Sequence, residues 1–471
     1  MKKQIFLVLF VSLISGSAIC QQKAGKVLDS ILCDSDKTNA YCLFLPSEYV
    51  PGNRIPVVFI HDPAARANLA VHVFKNAAER YQYILACSYA TQNGTDLNSL
   101  LSASRIMQED VMKKYSVDTN RIYLCGFSGG SRLSTAIALH QGNIAGVISV
   151  GAGLPGPFQA DAFNKNIIYA VVTGTYDMNY IEQLNLRTTL ELNGISARFF
   201  EFDGGHEWCD STTTLNIFEW IEYRAMLDGL IVRDTSYCND FMRSGLLETQ
   251  EFIRKADPLR AQVAGTDLLE DGADSLQYYL DELTSLSDYL SLDETEKKLT
   301  QIRKILSEEE TEKENYITFI QMRLPGAIVY DSTKLKKDPW WKQTSAKLKK
   351  QKNSASPYEA ESAARLFDFL YRNTWELGDI YYAAAQYSSA KEMYYLLTLL
   401  EEESIFAFYK LAKAEAALGN SNAAIHALQS SVNNGFTNTD LLQREEAFVS
   451  LRAHKKFIKL LDEITAETKT P

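Results

Sequence analysis

Between residues 26 and 228, short apolar runs alternate with stretches whose apolar residues return every three or four positions. The runs at 41–45, 56–60, 83–88, 121–125, 145–150, 167–172 and 197–202 have the length and content of buried strands. The stretches at 64–81, 97–115, 131–140, 180–193 and 214–227 have helical periodicity; in the second, Leu97, Leu101, Ser104, Val111 and Tyr115 fall near one face. Strands that are apolar throughout and separated by helices predict an α/β fold, a mostly parallel sheet covered on both faces. Functional residues of such sheets gather at the carboxyl ends of the strands.

The run at 121–125 ends in Gly126-Phe127-Ser128-Gly129-Gly130 and continues into a helical stretch. A strand, a G-x-S-x-G turn and a helix together place a serine on a tight turn where its hydroxyl can be approached from solvent. Glycines on both sides remove Cβ atoms that would collide there. Two later strand ends carry the complementary groups: T-G-T-Y-D puts Asp177 after 167–172, and D-G-G-H-E-W-C puts His206 after 197–202. The chain order Ser128, Asp177, His206 is that of an α/β-hydrolase triad, in which histidine takes the serine proton and the carboxylate orients the imidazole. Asp203 and Asp210 are the rival acids; Asp203 precedes a Gly-Gly turn and is explained by turn chemistry. Trp208 is a core aromatic or a pocket wall.

The oxyanion of an acyl intermediate needs two donors. Gly129 N–H, just after the serine, is the first. The second is expected from the loop after 56–60, which reads His61-Asp62-Pro63-Ala64. Pro63 has no N–H, which leaves Asp62 or Ala64.

Composition narrows the function. A chain of 471 residues exceeds one compact core, and its net charge of −11 disfavours nucleic acid as a partner. Lys2 and Lys3, the apolar stretch 5–14 and Gly16-Ser17-Ala18 predict a signal peptide over 1–20 and an exported, periplasmic or extracellular protein. Ile19 stands where a small residue is expected before a lipidated cysteine, which disfavours anchoring at Cys20. No other run is long and apolar enough to span a bilayer. Export permits disulfides. Of seven cysteines, Cys87 and Cys125 read as buried thiols, while Cys33 with Cys42 and Cys209 with Cys238 are candidate pairs. No cluster has zinc-site spacing, so no metal is expected, and a Ser-His-Asp triad needs no cofactor.

These motifs, V-V-F-I-H-D, V-D-T-N-R-I-Y-L-C-G-F-S-G-G, V-V-T-G-T-Y-D and F-D-G-G-H-E-W, make residues 26–228 resemble the α/β-hydrolase superfamily. Within it they resemble secreted esterases of the polyhydroxybutyrate-depolymerase and feruloyl-esterase type. Such esterases show His-Gly and a Gly-rich loop after the first of these strands, where this chain has Asp62 and Pro63. The resemblance implies hydrolysis of a small or polymer-borne carboxylic ester through an acyl-enzyme, without a cofactor. A serine peptidase of the same fold is the second reading. A catalytically weak scaffold whose carboxyl-terminal repeats bind a protein is the third.

After Gly229 the strand pattern stops. Residues 229–356 read as a helical linker region, with one stripe at Leu276, Leu280, Leu283 and Leu290 and another at Leu299, Ile302 and Leu306. A Lys-rich patch at 334–352 surrounds Trp340 and Trp341 and reads as a solvated segment with two anchors. Over 357–471, an Ala-rich motif ending at Ala390 returns at Ala423, 33 residues on. That spacing, with Gly419 at a turn, resembles tetratricopeptide repeats, whose helix pairs usually form a protein-binding surface.

Overall fold

The computed structural model describes residues 24–156, 166–272, 280–321 and 339–467. The segment 1–20 with Cys20 lies outside them, as do Leu276 and Lys334. The chain divides into two compact units, 1–303 and 304–471.

The first unit is built on eight strands: β1 (Val27–Leu32), β2 (Ala40–Phe44), β3 (Ile55–His61), β4 (Ile84–Ser88), β5 (Val117–Phe127), β6 (Gly146–Val150), β7 (Ile168–Gly174) and β8 (Ser196–Phe202). Their order in the sheet is β1-β2-β4-β3-β5-β6-β7-β8, with β1 and β2 antiparallel and β3 to β8 parallel. Strands β4, β6 and β7 are buried along their whole length, because helices cover both faces. On one face α1 (Ala67–Tyr81), α5 (Ser211–Leu227) and α6 (Thr235–Arg254) pack on Val58, Ile60, Cys125 and Val172. On the other, α2 (Leu97–Lys114), α3 (Gly129–His140) and α4 (Tyr180–Leu192) pack on Val57, Phe59, Leu124 and Val171. This is an α/β-hydrolase-like arrangement. Pro56, which has no N–H for a ladder, falls at the register shift between Ile55 and Val57.

Strand β1 has no counterpart in the sequence reading. It is a half-exposed edge whose register shifts between Leu28 and Ile31, where Ser30 takes φ +53°. An edge strand with a bulge loses the strict alternation that marks strands. The disulfide candidates also differ from expectation: Cys33, Cys42, Cys209 and Cys238 are free thiols. Cys42 faces the α1 side of the sheet and Cys33 the α2 side. Burial pushes the Cys42 thiol up to about 12 and Cys33 up to about 11, with Asp110 adding to the latter.

The helices after residue 229 begin as part of the same layer. Helix α7 (Pro258–Asp271) is tied to α4 and β8 by buried charges. Arg187 Nε donates to Asp267 Oδ1 at 2.8 Å, and Arg198 Nη1 donates to Asp271 Oδ2 at 2.7 Å. Trp220 Nε1 donates to the other Asp271 oxygen at 2.9 Å. Two further helices follow, α8 (Leu280–Leu290) and α9 (Asp293–Gln321), the division into units falling within α9. Leu299, Ile302 and Leu306 are each buried, as their spacing predicts. No described helix is long and apolar enough to cross a membrane.

The second unit is helical: α10 (Trp340–Gln351), α11 (Pro357–Ala383), α12 (Tyr387–Leu400), α13 (Ile405–Ala417), α14 (Ser421–Asn433), α15 (Thr439–Arg444), a 3-10 turn (Glu446–Leu451) and α16 (Lys455–Glu467). Helix α11 packs on α12, and α13 on α14. The two hairpins turn alike, through Ala385 at φ +57° and Gly419 at φ +77°. Trp341 is fully buried, and Trp340 stacks on Phe319 at 3.7 Å between ring centroids. The core also encloses an ion pair: Arg365 donates to both Glu309 oxygens at 2.8–3.1 Å, and both side chains are fully buried.

Removing one partner of such a pair strands a buried charge, at a cost of about 3–5 kcal/mol. Glu309→Ala is therefore expected to lower the unfolding free energy of the second unit by about that amount in urea titration. A shift below about 1 kcal/mol would show that Arg365 finds another route to water or charge.

Candidate active site

The site starts from a close approach of backbones. At the end of β5, a Cβ on Gly126 would collide with the Gly130 carbonyl, and one on Gly130 would collide with the His61 carbonyl at the end of β3. Only glycine lets the strand, the turn and the first turn of α3 share this space. Between these glycines Ser128 is held at φ +51°, ψ −120°, a strained conformation for a residue with a side chain. Its N–H donates to Val150 O at 2.8 Å, which locks the turn to β6. Helix α3 then begins at Gly129, two residues earlier than its sequence pattern suggests, because the elbow itself forms its first turn.

The loops after β7 and β8 reach the same point. Ser128 Oγ and His206 Nε2 are 2.9 Å apart, and His206 Nδ1 lies 2.9 and 3.0 Å from the two Asp177 oxygens. Asp177 is fully buried, and its Oδ1 also accepts the Asn179 N–H at 2.7 Å. Asn179 in turn donates to Gly151 O at 2.8 Å. Gly151 leaves room for the array: a Cβ there would lie 2.9 Å from Asp177 Oδ2 and 3.2 Å from His206 Nδ1. Phe127 packs on the imidazole at 4.7 Å between ring centroids, and Trp208 packs on Phe127 at 5.4 Å. The structure thus brings Ser128, His206 and Asp177 into one hydrogen-bonded chain. Of the rival acids, Asp203 is exposed, and Asp210 caps α5 by accepting the Thr213 N–H at 2.8 Å.

The expected oxyanion donors fare differently. Gly129 is at the amino end of α3 directly after Ser128, where helix N–H groups have no partner within the helix. Asp62 is fully buried, and its carboxylate gathers the surrounding donors. It accepts from Ala64 N–H at 2.9 Å, from Arg66 through its N–H, Nε and Nη2 at 2.9–3.1 Å, and from Trp208 Nε1 at 2.9 Å. Burial works against the charged form, yet these bonds hold its pKa below the usual carboxylate value. The Ala64 N–H is therefore turned toward Asp62 rather than toward Ser128.

Beneath this loop lies His61, fully buried, with Nδ1 2.8 Å from Ser134 Oγ and Nε2 2.8 Å from Ser104 Oγ. Ser134 Oγ donates to Cys125 O at 2.9 Å, and Gln108 donates to Ser104 Oγ at 3.0 Å. Burial lowers the His61 pKa to about 4. The imidazole supports the elbow from below and is closed to solvent. Among the described residues no three His, Cys, Asp or Glu gather as metal ligands.

Sequence reasoning passed over Asn93, Asn179 and Gly151. Asn93 lies in T-Q-N-G, which reads as a turn signal, and Asn179 and Gly151 lie in loops with no pattern of their own. Asn93 N–H donates to Pro63 O at 2.8 Å, and a Cβ on Gly129 would collide with Asn93 Oδ1.

No family model matches this chain, and no curated protein matches it. Among solved structures it is similar to an esterase from Pyrobaculum calidifontis, at 14% identity over 45% of this chain and 87% of that one, with a TM-score of 0.34. It is similar to Est1E from Butyrivibrio proteoclasticus at 13% identity over 42% of this chain and 98% of that one, TM-score 0.33. It is also similar to an S-formylglutathione hydrolase from Staphylococcus aureus at 10% identity over 39% of this chain and 90% of that one, TM-score 0.31.

The buried His61 makes the elbow's support sensitive to acid. Its folded pKa of about 4 lies below the ordinary 6.5, so its contribution is intact above about pH 6.5 and is lost as pH falls through about 4. The difference corresponds to roughly 3 kcal/mol. Unfolding free energy measured from pH 7 to pH 4 should fall less steeply for His61→Gln than for the wild type. Parallel curves would mean that His61 is not charged in the unfolding step.

Proposed function

We propose that the first unit is a serine hydrolase that cleaves carboxylic esters, with Ser128 as nucleophile. The observation that carries this reading is the hydrogen-bonded chain from Ser128 through His206 to Asp177 on a strained turn. Ser128 Oγ attacks the acyl carbon while His206 Nε2 takes its proton, and the carbonyl electron pair moves onto oxygen. Asp177 favours the imidazolium that forms. Gly129 N–H, strengthened by the positive end of α3, faces the new oxyanion. Collapse of the intermediate expels the alcohol, which leaves with the proton from His206. A water, deprotonated by His206, then attacks the acyl-serine and releases the acid. The steps use only side chains, backbone N–H groups and water.

Esters suit the site better than amides. An amine leaves less readily than an alcohol, so amide cleavage demands a stronger oxyanion site. The loop after β3 gives none of its assigned N–H groups to that site, since Pro63 has none and Ala64 donates to Asp62. Buried thiols do not compete as nucleophiles, since Cys87 and Cys125 are held well above the ordinary thiol range by burial.

Two further parts of the reading rest on sequence pattern. The segment 1–20 supports export to the periplasm or beyond. The hairpins of α11 with α12 and α13 with α14, turning alike at Ala385 and Gly419, support a tetratricopeptide-type surface for a protein partner.

A fluorophosphonate should label wild-type protein at Ser128 and leave Ser128→Ala unlabelled. With p-nitrophenyl acetate, Ser128→Ala and His206→Ala are each expected to lose roughly 10⁴-fold or more in kcat, and Asp177→Asn roughly 10⁴-fold. A folded wild type that is neither labelled nor active would favour the scaffold reading.

A further inference from the structure

Two features of the loop after β3 withdraw backbone donors from the oxyanion. Pro63 has no N–H. The N–H groups of Ala64 and Arg66 donate to the Asp62 carboxylate at 2.9 and 3.1 Å, and that of Ala65 donates to Asp62 O at 3.1 Å. The N–H groups of Ala64, Ala65 and Arg66 are thus spent inside the loop.

A neighbouring loop fills the gap. Gln92 forms an antiparallel bridge with Ala64, and Asn93 N–H donates to Pro63 O at 2.8 Å. The chain then turns at Gly94, which takes φ +86°. This pins the Asn93 backbone beside Pro63 and delivers its carboxamide to the elbow. A Cβ on Gly129 would collide with Asn93 Oδ1 and lie 3.2 Å from Nδ2. The Asn93 amide thus occupies the space beside Gly129 that a side chain there would take. Among the described residues the Asn93 carboxamide makes no hydrogen bond of its own, and it is open to solvent.

We propose that the Asn93 carboxamide is the second oxyanion donor, in place of the backbone N–H that Pro63 removes. This rests on the ester-hydrolase reading of Ser128. Oδ1 is the end nearer Gly129; a half turn of the amide plane exchanges the two ends and presents Nδ2–H beside Gly129. No backbone movement is needed. The developing negative charge selects the donating end. Asn93 touches the reacting oxygen in this role and is a catalytic residue.

The test compares Asn93→Ala, Asn93→Asp and Gln92→Ala in the full chain, with p-nitrophenyl acetate as substrate. Asn93→Asp keeps the shape and the backbone bond to Pro63 but has no N–H to offer. Gln92→Ala keeps the bridge to Ala64, which is a backbone contact. Both Asn93 variants should lose about 10²–10³-fold in kcat with KM within about threefold of wild type, as for a lost oxyanion donor. Inhibition by a trifluoromethyl ketone, which forms an oxyanion on Ser128, should weaken by a similar factor. Gln92→Ala should match wild type in both. If Asn93→Ala and Asn93→Asp keep kcat within about threefold, or lose it only with a matching loss in Gln92→Ala, the assignment is overturned while the hydrolase reading stands. A folded wild type that hydrolyses no ester and takes no fluorophosphonate overturns both.

Discussion

The first unit is organised around one steric constraint, the contact of three backbones at the carboxyl end of the sheet. The Gly130 carbonyl stands where a Cβ on Gly126 would be, and the His61 carbonyl stands where one on Gly130 would be. Strand β5, helix α3 and strand β3 can meet this closely only without side chains. The consequence is local strain at Ser128, whose φ of +51° is enforced by parts that cannot move apart. The strain lifts the hydroxyl out of the sheet edge and turns the amino end of α3 toward the same space. His61, bridging Ser104 of α2 and Ser134 of α3, braces the contact from the interior. A donor at each ring nitrogen or an acceptor at each would not satisfy a neutral imidazole; hydroxyls, which can do either, satisfy both.

Much of this was legible in the chain. Strands buried on both faces are apolar throughout, and that is why β2 to β8 stand out. The meeting of Ser128, Asp177 and His206 was legible because this topology returns every loop after a parallel strand to one edge, so order along the chain becomes proximity in space. What was not legible depends on side-chain direction or on distant partners. Cys33 and Cys42 flank a short turn, yet they face opposite layers, since residues in this hairpin alternate between the two faces. Strand β1 is an edge with a bulge at Ser30 and offers no period to detect. Asp267 and Asp271 look like any helical acids until Arg187 and Arg198, some seventy or eighty positions earlier, are seen to meet them. Asn93 reads as a turn residue because it is one; its second contact, with Gly129, is set by the fold alone.

The second unit holds its shape by a different means. Its helix pairs repeat, and repeats of similar helices can in principle slide by a turn against one another. A buried ion pair resists such slippage, because a shifted register would part Arg365 from Glu309 and leave each with only the partner on its own helix, Glu361 at 3.8 Å and Lys313 at 3.2 Å. Replacing both by apolar residues would cost little stability. The pair therefore contributes more to which packing is adopted than to how strongly it is held. The stacked Phe319 and Trp340, beside the buried Trp341, anchor the neighbouring helix in the same register.

The two departures at the end of β3, Asp62 and Pro63, are better understood together than singly. A buried carboxylate needs donors, and Asp62 takes them from Ala64, Arg66 and Trp208. Trp208 packs on Phe127, which packs on His206, so the same carboxylate that draws the loop inward also steadies the aromatic wall beside the imidazole. Rigidity of that wall is gained by withdrawing backbone N–H groups from the open side of the site. Pro63 then loses nothing, because a backbone donor at that position has no role in a loop already turned inward. Its carbonyl still accepts from Asn93 and so fixes the neighbouring loop in place. In the oxyanion role proposed for it, the Asn93 amide would be less preorganised than a backbone N–H, since it would have to select one of its two ends as charge develops. If the first unit is the ester hydrolase proposed, such a site would suit an acyl group with a good leaving alcohol, where the demand on the oxyanion donors is modest.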